Sequence, residues 1–205
     1  MKDLSKITKM ILVIDMVNGF VKYGAMHDKS IANIIPEQIK LLEKFQGETD
    51  IIGIVKDTHD EDCIEFKTYP KHCVKGSGEE NLVEELSNFE NKESLVYEKN
   101  STDVTNVKNF FEDIDKMKSL KEIVVIGCCT DICVLNAAIS MKTYFNENNR
   151  DIEIIMPKNC VETYNAPNHI QKEYNEIAYK LISQAGIKIV ESYNKWKNIL
   201  IIFLL

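Results

Sequence analysis

The sequence contains few of the features that mark nucleotide-binding, nucleic-acid-binding or membrane proteins. Neither a G-x-G-x-x-G fingerprint nor a phosphate-binding loop follows the first apolar run, which argues against a nucleotide-binding module. The basic residues are scattered and the net charge is −7, which argues against nucleic acid as the main partner. The apolar run Ile199–Leu205 is far shorter than the roughly 20 residues that span a bilayer. A buried terminal segment and an oligomer contact both fit this run.

The chain also shows no apolar leader before its first predicted strand, because its first ten residues carry charges instead. We therefore expect the six cysteines to be free thiols in a reducing, cytoplasmic compartment rather than a disulfide framework. Of the 205 residues, 44% are apolar and 28% are charged, which is typical of a protein with one sizeable core. We expect a single domain over residues 1–205, in which residues 199–205 form a tail of unassigned role.

Short apolar runs alternate with amphipathic segments along the whole chain. The runs predict strands at Met10–Ile14, Ile51–Val55, Ser94–Tyr97, Ile123–Ile126, Ile152–Met156 and Ile187–Val190. Apolar residues at helical spacing predict helices at Ile31–Phe45, Glu79–Leu86, Asp103–Met117, directly after Cys133, and at Asn165–Ala185. Strands that read as continuous apolar runs are buried on both faces. The pattern predicts a three-layer α/β/α fold with a mostly parallel, six-stranded sheet of Rossmann-like topology.

Polar or reactive side chains follow four consecutive predicted strands. Asp15 ends the first strand, Asp57 and His59 follow the second, Lys99 follows the third, and Cys133 follows the fourth. Ligands of parallel sheets bind outside the carboxyl ends of the strands, so these side chains are expected to meet. A cysteine at the start of a helix has a lowered pKa and lies near backbone N–H groups that can stabilise an oxyanion. The pattern predicts a nucleophilic site at this edge.

Several motifs occur in the order found in a known enzyme family. They are ILVIDMVNGF, VKDTH, YPKHCVKGSGEENL, YEKNST, GCCTDICVLNAAISM and the segment from Cys160 to Val190. Together they resemble the isochorismatase-like hydrolases, and specifically their nicotinamidase branch, over nearly the whole chain. The resemblance implies an isochorismatase-like fold and a metal-containing cysteine amidase. Such an enzyme converts nicotinamide to nicotinate and ammonia through a thioester, in NAD salvage.

The resemblance also implies roles for the residues at the strand ends. Cys133 would attack the amide carbonyl, and Asp15 would take the thiol proton and pass it to the leaving amine. Lys99 would lie between them, favouring the thiolate. The backbone N–H groups of Cys129 and Cys133 would form the oxyanion hole, and the peptide bond between Cys128 and Cys129 would be cis.

The motif D-x-H…P-x-H implies a metal site in the long loop after the second strand. Its ligands would be Asp57, His59 and His72, with Glu65 as the fourth, although the acidic residues 60–62 lie nearby as alternatives. Two imidazoles and a carboxylate suit one divalent ion, with zinc favoured and iron or manganese as alternatives. In the family this ion binds the pyridine nitrogen of the substrate. No organic cofactor is expected.

Two aromatic residues match positions that enclose the substrate ring in this family. They are Phe20 and Tyr69, and aromatic walls are common in ligand pockets. The chain departs from the family pattern at Val17, where a polar residue is usual, and after Lys99, where NSTDVTN replaces the common S-A-F. These departures leave the catalytic residues in place but change the wall of the pocket.

Three other functions fit the sequence less well. A family member could act on another small amide, or could be an isochorismate-type vinyl-ether hydrolase, which needs neither the cysteine nor the metal loop. A protein of a different class could use Cys128, Cys129 and Cys133 as a non-catalytic thiol or metal site. The spacing of these cysteines differs from that of common zinc and redox motifs. We expect a small-molecule substrate, no membrane or nucleic-acid partner, and assembly as a homo-oligomer.

Overall fold

The fold is built on a parallel sheet, which the computed structural model describes within residues 2–193. Its strands are β1 (Lys9–Ile14), β2 (Asp50–Asp57), β3 (Leu95–Lys99), β4 (Glu122–Cys128), β5 (Glu153–Pro157), β6 (Val161–Glu162) and β7 (Lys188–Val190). The strand order is β3-β2-β1-β4-β5-β7, and β6 pairs with the end of β4. The six predicted strands therefore form the continuous sheet, and the two-residue β6 pairs with the last two residues of β4, Gly127 and Cys128. The apolar tail predicted at residues 199–205 lies outside the described residues.

The first strand lies at the centre of the sheet and is buried on both faces. Val13 aligns with Ile54 of β2 on one side and with Ile126 of β4 on the other. Because side chains alternate along a strand, Leu12 and Ile14 belong to one core cluster and Ile11 and Val13 to the other. This double burial explains why the strands read as continuous apolar runs in the sequence.

Helices cover both faces of the sheet and complete the three layers. They are α1 (Asn18–Val21), α2 (Ile35–Leu42), α3 (Phe110–Lys116), α4 (Leu135–Glu147) and α5 (Gln171–Gln184). One core cluster packs α3, α4 and α5 against the sheet, and the other packs α1 and α2 against the opposite face. In the described part of the chain, no helix is long and apolar enough to cross a membrane.

Four predicted helices are shorter than their apolar periodicity suggested. Residues Lys29–Ile34 and Val104–Asn106 form 3₁₀ helices that precede α2 and α3, and only Glu84–Phe89 is helical (3₁₀) near the predicted Glu79–Leu86. Pro36 lacks an N–H group and fits the first turn of α2, which explains where the α-helix begins.

The last helix begins at Gln171 rather than at the predicted Asn165. Pro167 disfavours the helical conformation of Ala166, and Ala166 instead pairs with His169 through two backbone hydrogen bonds of 2.9–3.0 Å. The other end agrees with the prediction, because Gly186 has φ +85° and caps the helix by donating to the carbonyl of Ser183. The loop before α5 is therefore free to pack against the turn that carries Cys133.

Candidate active site

Four strand ends bring the predicted catalytic residues together at one edge of the sheet. The ammonium of Lys99, at the end of β3, lies 2.9 Å from the Asp15 carboxylate that follows β1. It lies 3.7 Å from the sulfur of Cys133. Its third neighbour is Asp57, at the end of β2, at 2.6 Å. Lys99 is only 2% exposed, so its charge acts on these groups with little screening by water.

The carboxylate of Asp15 is in an environment suited to a general base. Burial raises its pKa from 3.8 to about 6, although the charge of Lys99 opposes the change. Its Oδ2 atom lies at ion-pair distance from Lys99, yet neither carboxylate oxygen accepts a well-aligned hydrogen bond from the described residues. The backbone of Asp15 has φ +53°, a left-handed conformation that is costly outside glycine and often marks functional sites. Asp15 is therefore held in place with free proton-accepting capacity.

The thiol of Cys133 is protonated in the resting site. Burial raises its pKa well above the usual value, and the nearby Lys99 only partly offsets this effect. The sequence prediction of a lowered thiol pKa at a helix start is not supported by this environment. To act as a nucleophile the thiol would have to lose its proton, and Asp15, which shares the neighbour Lys99 with it, is placed to accept that proton.

The turn that carries Cys133 is wider than an ordinary helix start. Residues Thr130–Val134 form one π-helical turn that leads into α4, and the peptide bond between Cys128 and Cys129 is cis, as expected. Gly127 precedes this turn with φ +124°, and a Cβ atom there would lie 2.0 Å from the carbonyl oxygen of Ile14. Glycine thus allows β4 to approach β1 closely and places the cysteine turn beside Asp15.

Three predicted metal ligands form a compact buried group next to the lysine. The Nε2 atoms of His59 and His72 lie 3.0 and 3.1 Å from Oδ2 of Asp57, and 3.2 Å from each other. Burial alone would raise the pKa of Asp57, but the Lys99 charge and both imidazoles outweigh it and hold the pKa well below its usual range. Asp57 is therefore an anion at neutral pH, as a metal ligand must be.

The outer nitrogens of the two imidazoles indicate that this group suits a cation. Nδ1 of His59 lies 3.1 Å from the side-chain oxygen of Asn100, and Nδ1 of His72 lies 2.7 Å from the carbonyl of Pro70. If each Nδ1–H donates to its oxygen, each Nε2 presents a lone pair toward Asp57. Two lone pairs and a carboxylate then converge, and a divalent ion would stabilise all three donors.

The fourth predicted ligand lies beside this group but outside it. Oε1 of Glu65 is 4.0 Å from Nε2 of His59, and its side chain is largely covered. The three-residue cluster of potential ligands comprises only Asp57, His59 and His72 within the described residues. Glu65 as a ligand stays a prediction.

A narrow cleft joins the thiol to the metal ligands. Its lining residues include Cys133, Cys129, Asp57, Glu65 and His72. The predicted ring-binding residues also lie there: the ring centroids of Phe20 and Tyr69 are 5.5 and 6.4 Å from that of His72. The space enclosed between these walls is about 20 Å³, close to that of one water molecule, so the lining must open to admit a flat ring.

Several residues of the site were missed by the sequence reasoning. Met26, Thr102 and Ile132 complete the lining of the cleft, and Phe66 packs its ring 5.2 Å from that of His59. Thr102 belongs to the segment NSTDVTN that departs from the family pattern, so that departure was a usable signal. Asn100 lies in the same segment, and only the structure reveals its contact with His59.

A family model and one curated relative match most of the chain. Residues 9–192 match the model of the isochorismatase domain. The chain is also similar to Nicotinamidase 1 of Arabidopsis thaliana, with 27% identity over 179 residues that cover 80% of this chain and 72% of the relative.

Solved structures share the fold at lower identity. One is a pyrazinamidase of Pyrococcus horikoshii in complex with zinc, with a TM-score of 0.72, 21% identity, and coverage of 89% of this chain and 98% of the other. Another is an N-carbamoylsarcosine amidase from Thermoplasma acidophilum, with a TM-score of 0.73, 21% identity, and coverage of 91% and 98%. The α/β fold with its parallel sheet is thus shared with isochorismatase-like structures.

Proposed function

This chain belongs to the isochorismatase domain family, and we propose that it is a metal-containing nicotinamidase, which converts nicotinamide to nicotinate and ammonia in NAD salvage. One observation carries the proposal: Asp57 and His72 line the same small cleft as Cys133, and His59 completes their group of potential metal ligands. A ligand for the pyridine nitrogen and a nucleophile for the carboxamide are then available to one substrate. The similarity to Nicotinamidase 1 supports this choice of substrate.

The residues of this chain divide the first half of the reaction between them. The sulfur of Cys133 attacks the amide carbonyl while its proton passes to Asp15, whose raised pKa of about 6 suits a proton carrier. Lys99 stabilises the negative charge that moves between thiolate and carboxylate. The backbone N–H groups of Cys129 and Cys133 stabilise the oxyanion. Asp15 then protonates the leaving nitrogen, ammonia departs, and a thioester remains on Cys133.

The second half returns the enzyme to its resting state. Asp15, now ionised, takes a proton from water as that water attacks the thioester carbonyl. Nicotinate leaves, and the proton returns to the sulfur of Cys133. The thiol proton thus leaves in ammonia, and one proton of the water restores the thiol. The other proton of the water leaves on the carboxyl group of the product, which ionises to nicotinate in solution.

A divalent ion would be held by Asp57, His59 and His72, with Glu65 as the proposed fourth ligand. When bound, the ion would coordinate the ring nitrogen of the substrate and so orient the carboxamide toward Cys133. Zinc is favoured because the ligand set suits it, and the zinc complex of the structurally similar pyrazinamidase supports this choice. A cytoplasmic setting and a homo-oligomer remain predictions.

A second function within the family is an amidase for a different small amide. The structural likeness to an N-carbamoylsarcosine amidase favours it, as does Thr102, which lines the cleft and belongs to a segment that departs from the family pattern. A vinyl-ether hydrolase is less well supported, because it would leave the buried thiol and the metal ligands without a role.

Ammonia release by the zinc-loaded protein from nicotinamide, pyrazinamide and N-carbamoylsarcosine distinguishes these functions. We expect turnover of nicotinamide and of pyrazinamide, since both carry a ring nitrogen and a carboxamide. Turnover of N-carbamoylsarcosine alone would replace the proposal with the second function. No ammonia from any of the three, with correct zinc content, would contradict the nicotinamidase assignment.

A further inference from the structure

A second cluster of polar side chains lies behind the cysteine turn, outside the catalytic and metal groups. His169, in the loop before α5, places Nε2 2.8 Å from Oδ2 of Asp131, and Thr163 donates a hydrogen bond to the other oxygen of that carboxylate. His169 is only 6% exposed. We call His169, Asp131 and Thr163 the turn clamp. Nothing in the reaction described above uses it.

The imidazole of His169 is fixed on every side. Its ring stacks between Tyr164, at a centroid distance of 3.8 Å, and Tyr174, at 3.7 Å. Its second nitrogen, Nδ1, lies 3.0 Å from the carbonyl oxygen of Tyr164. With both faces covered and both nitrogens engaged, His169 has no atom left to bind a ligand. Any role it has must pass through Asp131.

Asp131 occupies the middle of the turn that carries the proposed oxyanion donors. It lies two residues after Cys129 and two residues before Cys133. Both of its carboxylate oxygens are held by the segment 163–169. That segment is itself tied to the start of α5, because the side chain of Gln171 donates to the carbonyl of Thr163 at 2.7 Å.

Two backbone hydrogen bonds of this turn share a single acceptor. The N–H groups of Ile132 and Val134 both donate to the carbonyl of Cys129, at 3.1 Å each. The π-helical form that results is rare and occurs mostly at functional sites. A backbone closed on one shared acceptor can shift when a side-chain contact is lost, and the N–H groups at its two ends shift with it.

We propose that His169 is a positioning residue: through Asp131 it fixes the turn whose Cys129 and Cys133 N–H groups stabilise the oxyanion. The catalytic part of this inference rests on the proposed amidase function. The placement of Cys133 by the clamp is independent of that function. Loss of the clamp acts mainly on the transition state, because the aromatic walls Phe20 and Tyr69 and the metal ligands belong to other elements. The turn itself contributes Cys129, Ile132 and Cys133 to the lining of the cleft.

Two substitutions separate positioning from packing. His169→Phe keeps a ring between the two tyrosines but removes the donor to Asp131. His169→Gln restores a donor of similar reach without the ring. The matched control is Tyr174→Phe, which keeps the stack and loses only a long hydrogen bond of 3.4 Å to the carbonyl of Asn168.

With nicotinamide as substrate, His169→Phe should lower kcat by about 10- to 100-fold, the loss typical of displaced catalytic groups. Its KM and zinc content should stay within about twofold of wild type, because the positioning acts mainly on the transition state. His169→Gln should recover most of kcat, and Tyr174→Phe should match wild type. A kcat in His169→Phe equal to wild type, or a fall in melting temperature alone, would overturn the proposal.

A second measurement is independent of the substrate assignment. Iodoacetamide alkylation of Cys133, located by mass spectrometry, should be several-fold slower in His169→Phe and unchanged in Tyr174→Phe. If wild type releases no ammonia while alkylation still depends on His169, the nicotinamidase proposal fails and the clamp stands. Equal alkylation rates in all variants would show that the clamp does not place the nucleophile. If His169→Phe fails to fold, Thr163→Val, which removes the hydrogen bond to the other oxygen of Asp131, takes its place. Slower alkylation in Thr163→Val than in Tyr174→Phe supports the clamp, and equal rates contradict it.

Discussion

The two halves of the candidate site share one lysine but differ in what they need from outside. The thiol half, Asp15, Lys99 and Cys133, contains a nucleophile, a proton acceptor and a positive charge between them. The metal half, Asp57, His59 and His72, presents three converging donors that a cation would complete. In the proposed reaction, bond making depends on the chain alone, and substrate placement depends on the ion. Changes in the thiol half should lower kcat, and changes in the metal half should raise KM.

The largest expected effect comes from removing the nucleophile. Cys133→Ala should lower kcat for nicotinamide by about 10³-fold or more, since the sulfur of Cys133 is the proposed nucleophile and lies 3.7 Å from the ammonium of Lys99. Its zinc affinity should equal that of wild type, because the metal half is untouched. Ammonia release and metal analysis check both parts.

The neighbouring cysteine provides the control for this substitution. Cys129→Ala should keep substantial activity, because its proposed contribution is a backbone N–H group. Robust turnover by Cys133→Ala, or a Cys129→Ala variant as inactive as Cys133→Ala, would show that the thiol roles are assigned wrongly.

Removing the metal ion should impair the placement of the substrate and leave the thiol half reactive. A chelated protein, or His72→Ala, should lose about 10²-fold in kcat/KM because the substrate ring loses its anchor. Alkylation of Cys133 by iodoacetamide should persist in both. Added zinc should restore the chelated wild type but not His72→Ala. Activity that is indifferent to chelation would contradict the role of the metal half.

Asn100 allows a smaller, graded test of the metal half. Its side-chain oxygen orients His59 at 3.1 Å, so Asn100→Ala should weaken zinc binding by about 10- to 100-fold. Asn100→Asp keeps an acceptor at the same place and should bind zinc nearly as wild type does. Competition with a zinc-binding dye measures both affinities. Equal affinity in all three proteins would remove Asn100 from the support of the ion.

The pH dependence sharpens the account of the thiol half. Asp15 must be ionised to take the thiol proton, and its pKa is raised to about 6. Below that pH, kcat/KM should fall about tenfold per unit, whereas an ordinary carboxylate would sustain activity to about pH 4. Zinc content measured at each pH controls for loss of the ion. Full activity at pH 5 with zinc bound would contradict the role of Asp15.

Much of the fold could be predicted because strands that are buried on both faces consist of unbroken apolar runs in the sequence. The central strands, such as Met10–Ile14, are covered on both faces, and their unbroken apolar runs follow from that. Residues at strand ends were located by the same reasoning, since parallel topology brings carboxyl ends together. The sequence could therefore predict that Asp15, Lys99 and Cys133 lie close together.

Other features depend on contacts between distant segments. The periodicity around Asn165–Ala185 does not show that Pro167 delays the helix to Gln171 and leaves a loop beside the cysteine turn. In the sequence, His169 is an ordinary polar residue of that loop, and its partner Asp131 is 38 positions away. The raised pKa of the Cys133 thiol also reflects burial by residues from several elements, which a helix-start argument omits.

The most direct test of the central claim is to trap the covalent intermediate. Zinc-loaded protein is mixed with nicotinamide, quenched in acid during turnover, and digested for mass spectrometry. We expect a nicotinoyl group on Cys133, strongly reduced without zinc at the same substrate concentration and absent in Cys133→Ala. Ammonia release with no adduct on Cys133, together with activity retained in Cys133→Ala, would contradict the account.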